Sequence, residues 1–404
     1  MFATHLRCRD CQAQYDLKMM YACPKCGGLL EVEYDQANLL NPEHILHPDS
    51  DFYGLWKFHR MLPLKDTKNI VSLGEGDTPI LRADRISQTW ELPIDLYLKA
   101  EMLNPSGSFK DRPSTMAVSM AKELGHKAVV VASSGNASAA VASYAARAGI
   151  QCIVFIPKST DPGKIVQAQS YGAKVFAVDG TFSDAYDMSM KCAVEYDFPN
   201  CTSTYVNPYT VEANKTVAYE IFYQLKGNVP DYITVPIGTG PLLAGTFKGF
   251  EELLAMGLIT KLPKMIGVQA QQCMPIVRAF TDGSPVLAWQ EPIHTIAGGI
   301  ADPLDGYTKD GETTLKVIDL CSGAMVSLTE EEIKKSTDAV EQLIGLYSEP
   351  TGAVSVGAVE KLFHENVIPA GSSVVCLVTG HGFKFTKRSF SSPSVIHTLT
   401  DLTF

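Results

Sequence analysis

An α/β architecture with two doubly wound parallel or mixed sheets, preceded by a small N-terminal zinc ribbon, is the fold the sequence predicts. Three observations carry that expectation. From about residue 70 onward, Val/Ile-rich runs alternate with helical stretches, the pattern of parallel strands covered on both faces. The chain has 404 residues, more than one ordinary core holds, so two lobes are expected. Four of the ten cysteines crowd into the first 26 residues, as Cys8-x-x-Cys11 and Cys23-x-x-Cys26.

Those paired knuckles suit tetrahedral thiolate coordination of Zn2+, with Cys8, Cys11, Cys23 and Cys26 as ligands. The loop between them is somewhat short for such a site. Four thiolates close the coordination sphere, so the role is structural: the metal folds a ribbon too small to have its own core. A redox pair would require one such motif in a βαβ setting rather than two in tandem. Residues 35–70 mix His, Pro and aromatics and read as a linker packed onto the main body.

Strands then follow in order. KAVVVA (127–132) precedes the small-residue helix 137–149, and CIVFIP (152–157) precedes GKIVQAQSYG. KVFAVD (174–179) leads into a helix reaching about Glu195, and YITVPIG (232–238) into another; MIGVQA (265–270) and SVVCLVTG (373–380) complete the strong strands. In such sheets ligands collect at the carboxyl ends of strands. The loops SSGNAS (133–138), GTGPLLAG (238–245) and TGHG (379–382) therefore mark the candidate site.

GTGPLLAG joins small residues to a helix N-terminus, an anion cradle whose usual guest is phosphate. Its spacing fits neither GxGxxG nor a P-loop, and a tight turn without ligand is the alternative for this loop alone. Further upstream, NPSGSFKDRPSTMAVSMAKELG (104–125) delivers Lys110 to the start of a helix. That helix presents Met116, Ala117, Met120, Ala121 and Leu124 on one face and ends at Gly125. A lysine for imine chemistry, a phosphate cradle and small polar loops at strand ends together fit pyridoxal 5'-phosphate.

Composition narrows the partners. The formal net charge is −10 and the pI about 5.4, which argues against nucleic acid or an anionic membrane surface. No apolar run approaches bilayer length, and the first residues lack a signal-peptide core. A soluble, cytoplasmic protein is expected, with a homodimer as the usual assembly.

These motifs resemble the threonine synthase-like branch of fold-type II pyridoxal-phosphate enzymes. The resemblance runs through GEGDTPI (74–80), NPSGSFKDR, SSGNAS, 206–221, GTGPLLAG, SEPTGA (348–353) and TGHGFK (379–384), most of the chain. It implies that Lys110 is the Schiff-base lysine and later moves protons along the substrate. It implies that Asn136 bonds the cofactor's phenolic oxygen, and that Gly238, Thr239, Gly240, Leu242 and Leu243 hold its phosphate. Thr379 would face the pyridine nitrogen, which a neutral hydroxyl leaves unprotonated; Ser134, Gly135 and Ser138 would bind the substrate carboxylate. The implied organisation is a ribbon over 1–34, a large cofactor-binding domain over 35–112 with 225–390, a small domain over 113–224 and a tail over 391–404.

The sequence also departs from that family. Where its members carry Asn-Ser-Val-Asn-Pro-x-Arg to grip a substrate phosphate, this chain reads Thr204-Tyr205-Val206-Asn207-Pro208-Tyr209-Thr210. The lost arginine is the bidentate partner a phosphate needs. Pro113 replaces a glycine, Ala137 a threonine, Pro241 removes a loop N–H, and AGGIADP (297–303) lacks an expected arginine. Arg112 and Lys215 are the cations that could compensate. The expectation is elimination or replacement on a small amino acid, with phosphohomoserine disfavoured. The alternative is a β-eliminating ammonia-lyase or dehydratase, or a β-replacement synthase, acting on serine, threonine, diaminopropionate or an activated serine. A non-catalytic regulator would not need Lys110, Asn136 and Thr379 together.

Overall fold

A computed structural model describes residues 2–385; the 391–404 tail lies outside the described residues. The ribbon is an antiparallel sheet of β1 (Ala3–Cys8), β2 (Gln14–Tyr15) and β3 (Leu30–Tyr34). Alternation in β1 and β3 buries Leu6, Cys8, Leu30, Val32 and Tyr34 on one face. The linker segment packs as expected and goes deeper than its composition suggests. Gly54–Met61 winds into a short helical stretch that buries Leu55, Trp56, Phe58 and Met61. The Trp56 indole N–H reaches Glu75 Oε1 at 2.7 Å and Thr115 Oγ1 at 3.0 Å.

The main body follows with β4 (Ile80–Arg82), β5 (Asp95–Lys99), β6 (Ala128–Ala132), β7 (Gln151–Pro157), β8 (Lys174–Val178), β9 (Tyr232–Pro236), β10 (Lys264–Ala270), β11 (Ala324–Leu328) and β12 (Ser373–Leu377). They form a six-stranded sheet ordered β11-β10-β9-β12-β5-β4 and a three-stranded sheet ordered β6-β7-β8. All pairs are parallel except the edge pair β4–β5. Because β9, β12 and β5 are neighbours in one parallel sheet, the loops at their carboxyl ends lie side by side. The free edge of β6 is taken up by residues 199–201: Val130 N–H bonds Pro199 O at 2.9 Å and Cys201 N–H bonds Val130 O at 2.7 Å.

The helix Asp111–Glu123 separates two cores. Met116 and Met120 face the larger one, while Ala117, Val118 and Ala121 face the core of the three-stranded sheet. The proposed division places 113–224 in the smaller lobe, yet the buried helices Pro208–Asn214 and Thr216–Gln224 pack into the larger core. Pro113, in the first turn of the Asp111–Glu123 helix, removes an N–H that has no intrahelical partner, so its replacement of glycine is tolerated.

Both cations offered above as compensating charges are locked in place. Arg112 is fully buried and forked between Glu101 (2.7 and 2.6 Å) and Glu220 (2.6 and 2.7 Å), with Lys99 on Glu220 at 2.6 Å. Burial alone would raise the Glu220 carboxyl, but Arg112 and Lys99 hold it well below the usual range. Lys215 sits between Glu212 at 3.1 Å and Glu252 at 3.0 Å. Arg112→Met leaves two buried carboxylates without their shared fork and is expected to cost about 3–5 kcal/mol. Urea unfolding measures this; a loss below about 1 kcal/mol would assign the network no such role.

Candidate active site at the carboxyl ends of the strands

The Lys110 loop is built residue by residue from its own sequence. Asn104 Oδ1 accepts the Gly76 N–H at 2.9 Å, and its Nδ2 donates to Glu101 O at 2.7 Å. Asp111 reaches back to the Ser106 N–H at 3.1 Å and hydroxyl at 2.6 Å, closing the turn through Gly107, whose φ is +87°. Tyr144 OH donates to the same carboxylate at 2.8 Å. Burial nonetheless pushes Asp111 up to about 6. Phe109 N–H then bonds Thr379 O at 3.0 Å, stitching this loop to the one after β12. Lys110 caps the helix at the point this clamp fixes.

The Lys110 amine donates to Ser203 Oγ at 2.6 Å and lies 4.4 Å from the centre of the Phe109 ring. Desolvation pushes it down to about 8, against the pull of the Asp302 and Glu349 carboxylates. Glu349 accepts the Asn136 side-chain N–H at 2.8 Å and fills the space left by Gly380, where an added Cβ would meet its Oε1 at 2.1 Å. Asn136 opens the helix Asn136–Ala148, with Gly135 as its cap. Ser138 is buried and turns its hydroxyl to Gly135 O at 2.9 Å; Ser134 is half-buried in the loop.

After β9, Gly238 leads to Gly240, which caps the helix Pro241–Ala255 with φ +113°. Thr314 Oγ1 donates to Thr239 O at 2.6 Å, and a Cβ on Gly240 would meet Thr314 Oγ1 at 2.0 Å. Glycine is required here by both backbone and neighbour. Pro241 occupies the first helical position, so its missing N–H leaves the donors of Leu242 and Leu243 in place, outside the helix's own ladder. A cradle with first-turn donors, an amine of lowered basicity and a threonine after β12 together fit an aldehyde-bearing phosphate cofactor.

Three residues of this cleft carry no role in the sequence reading: Ser203, Asp302 and Glu349. Glu349 lies in SEPTGA and Asp302 in AGGIADP, so both motifs were visible without their geometry. The altered Thr204–Thr210 segment is committed to structure. Asn207 caps the next helix through the Tyr209 N–H at 3.1 Å, Thr210 bonds Asn207 O at 2.7 Å, and Tyr209 OH crosses to Lys18 O at 2.9 Å.

The fold and these loops define an enzyme that works through a cofactor bound at strand ends. Residues 71–380 match the model of the pyridoxal-phosphate dependent enzyme family, and the chain belongs to that family, in the fold-type II architecture. It is 39% identical to a threonine synthase of Methanocaldococcus jannaschii over 94% of this chain and 92% of that protein. A threonine synthase of Methanosarcina acetivorans is 37% identical over the same shares. Among solved structures, the T.th. threonine deaminase superposes with a TM-score of 0.63 at 25% identity, covering 78% of this chain and 94% of that one. Among the described residues no helix is long and apolar enough to cross a membrane.

At the other end of the chain, the thiols of Cys8, Cys11, Cys23 and Cys26 lie within 4.8 Å of one another. The Cys8–Cys26 and Cys11–Cys23 sulfurs are 3.4 and 3.6 Å apart. Tetrahedral Zn–S bonds of about 2.3 Å require sulfurs about 3.8 Å apart, so the four thiols fit that ion. Metal analysis of purified protein should find about one zinc per chain, lost in the Cys23→Ser/Cys26→Ser variant. Equal content in both proteins would remove zinc from the ribbon.

Proposed function

We propose that the protein catalyses elimination or replacement on a small amino acid, with Lys110 as the covalent anchor of pyridoxal phosphate and the base at the substrate α-carbon. The observation that carries this is the half-buried Lys110 amine, lowered to about 8 and held by Ser203 in a cleft walled by the loops after β5, β6, β9 and β12. When bound, the cofactor supplies the electron sink for carbanion chemistry.

The chain's own residues supply the rest. Gly238, Thr239, Gly240, Leu242 and Leu243 would hold the cofactor phosphate at a helix N-terminus. Asn136 would bond its ring oxygen, and Thr379, buried at the end of β12, would face the ring nitrogen. Ser134, Gly135 and Ser138 would receive the substrate carboxylate at the start of the Asn136–Ala148 helix. The Lys110 amine, when free, would take the α-proton and redeliver it.

Attachment needs the neutral amine. Reconstitution of cofactor-free protein, followed by growth of the visible absorbance band, should therefore accelerate with pH up to about 8 and level off above it. A rate still climbing towards pH 10 would place Lys110 at the ordinary lysine value and remove this feature of the site. Lys110→Ala should lack the band altogether.

The substrate reading sets phosphohomoserine aside. It is supported by the structural commitment of Thr204–Thr210 and by the ion pairs that hold Arg112 and Lys215 away from any ligand. Steady-state assays should find little threonine formed from phosphohomoserine. Robust threonine formation would overturn this part of the reading while leaving the cofactor site intact.

A further inference from the structure

Asp302 is a carboxylate in the cleft that the reading above does not use. It follows the turn Gly298–Ile300, and its Oδ1 accepts the Tyr307 hydroxyl at 2.8 Å and the Leu304 N–H at 3.0 Å. Its Oδ2 has no hydrogen bond among the described residues and lies 3.5 Å from where a Cβ on Gly238 would stand. The open oxygen is therefore laid against the first residue of the proposed phosphate loop. Asp302 and the Lys110 amine are also close enough for each charge to act on the other.

We propose that Asp302 is the acid that hands a proton to the leaving group, and that the substrate is therefore a β-hydroxy amino acid. This rests on the cofactor-bound reading above. A departing phosphate needs cations more than a proton; Arg112 and Lys215 are held by glutamates, and the Lys384 amine donates to Ser106 O at 2.7 Å and is acted on by Glu349 and Asp111. A departing hydroxide needs a proton, because it is a poor leaving group otherwise. Burial favours the protonated form of Asp302, opposed by the Leu304 N–H, the Tyr307 hydroxyl and the Lys110 charge. Asp310, whose carboxylate accepts the Tyr205 N–H at 3.1 Å, also feels the Asp302 charge; Lys164 lies on the exposed rim beside Gly298, and Glu349 acts on the same Lys110 amine.

The step balances. The Cα–H bond breaks and its proton goes to the Lys110 amine; the Cβ–O bond breaks and its electron pair stays on oxygen. That oxygen takes the Asp302 proton and departs as water. The unsaturated amine that remains takes up water and yields a 2-oxo acid and ammonia. The proton on Lys110 restores Asp302, so neither residue is consumed.

The test compares leaving groups in the holoenzyme. With serine or threonine, Asp302→Asn should lower kcat by about 100-fold or more with KM little changed. With β-chloroalanine, whose chloride leaves unprotonated, the loss should stay within about threefold. Tyr307→Phe, which removes the group fixing Asp302, should show the same dependence on leaving group with smaller losses. Equal losses on both substrates would make Asp302 structural and overturn the proposal, as would wild type acting on O-phosphoserine or phosphohomoserine but not on serine or threonine. The cofactor reading is checked separately by borohydride reduction and mass mapping of Lys110. A pyridoxyl-labelled Lys110 with equal losses overturns only the Asp302 proposal; an unlabelled Lys110 overturns both.

Discussion

The buried fork of Arg112 between Glu101 and Glu220 is the constraint on which the site depends. It joins the turn after β5 and the start of the Asp111–Glu123 helix, 11 residues apart, to Glu220 of the Thr216–Gln224 helix, 108 residues beyond Arg112. Lys99, at the end of β5, contributes a fourth charge through Glu220. Glu101, Arg112 and Glu220 are all buried, so each carboxylate requires a cation in good geometry. The observed placement of the helix start satisfies all four groups at 2.6–2.7 Å. Lys110 lies two residues before Arg112 and inherits that placement, which fixes the origin of its side chain without any contact to its amine.

A second set of contacts fixes what the amine meets. Residues 199–201 pair with the edge of β6, and Asn200 braces the following turn through the Thr202 N–H at 2.9 Å and the Asn207 side chain at 3.0 Å. Directly after Thr202 comes Ser203, the partner of Lys110. The ribbon holds this same stretch from outside. Tyr21 OH accepts the Asn200 N–H at 2.8 Å and donates to Phe198 O at 3.2 Å, while Arg9 lies 5.8 Å from the centre of the Tyr205 ring. A ribbon with almost no core of its own thus buttresses a loop at the cleft, which gives its closed thiolate cluster a mechanical consequence.

Much of this was legible in the sequence because it is local. Lys110, Gly238–Gly240 and Thr379 sit in short segments whose small residues and strand-end positions announce themselves, and their strands were visible as unbroken apolar runs. β5 was harder to see. DLYLK carries Asp95 at one end and at the other Lys99, a charge placed inside the protein because Glu220 waits there. Glu349 and Ser203 escaped for a related reason: their partners, Asn136 and Lys110, are 213 and 93 residues away. Chain order holds no periodicity for such pairs. The compensating role offered for Arg112 and Lys215 failed on the same ground, since composition counts cations without showing which carboxylates already hold them.

The cleft that results has an asymmetric charge pattern, and the fold explains it. Arg112, Lys99 and Lys215 are drawn inward, into the networks around Glu101, Glu220, Glu212 and Glu252, where they stabilise helix packing, while the Lys384 amine stays close enough to act on Glu349 and donates to Ser106 O at 2.7 Å. Carboxylates remain in the cleft wall: Asp302 against Gly238, and Glu349 against Gly380. Low dielectric around them raises the cost of ionisation, so burial biases both towards the protonated form. The same helices that aim Lys110 therefore also decide which nearby charges are locked inward and which stay at the cleft.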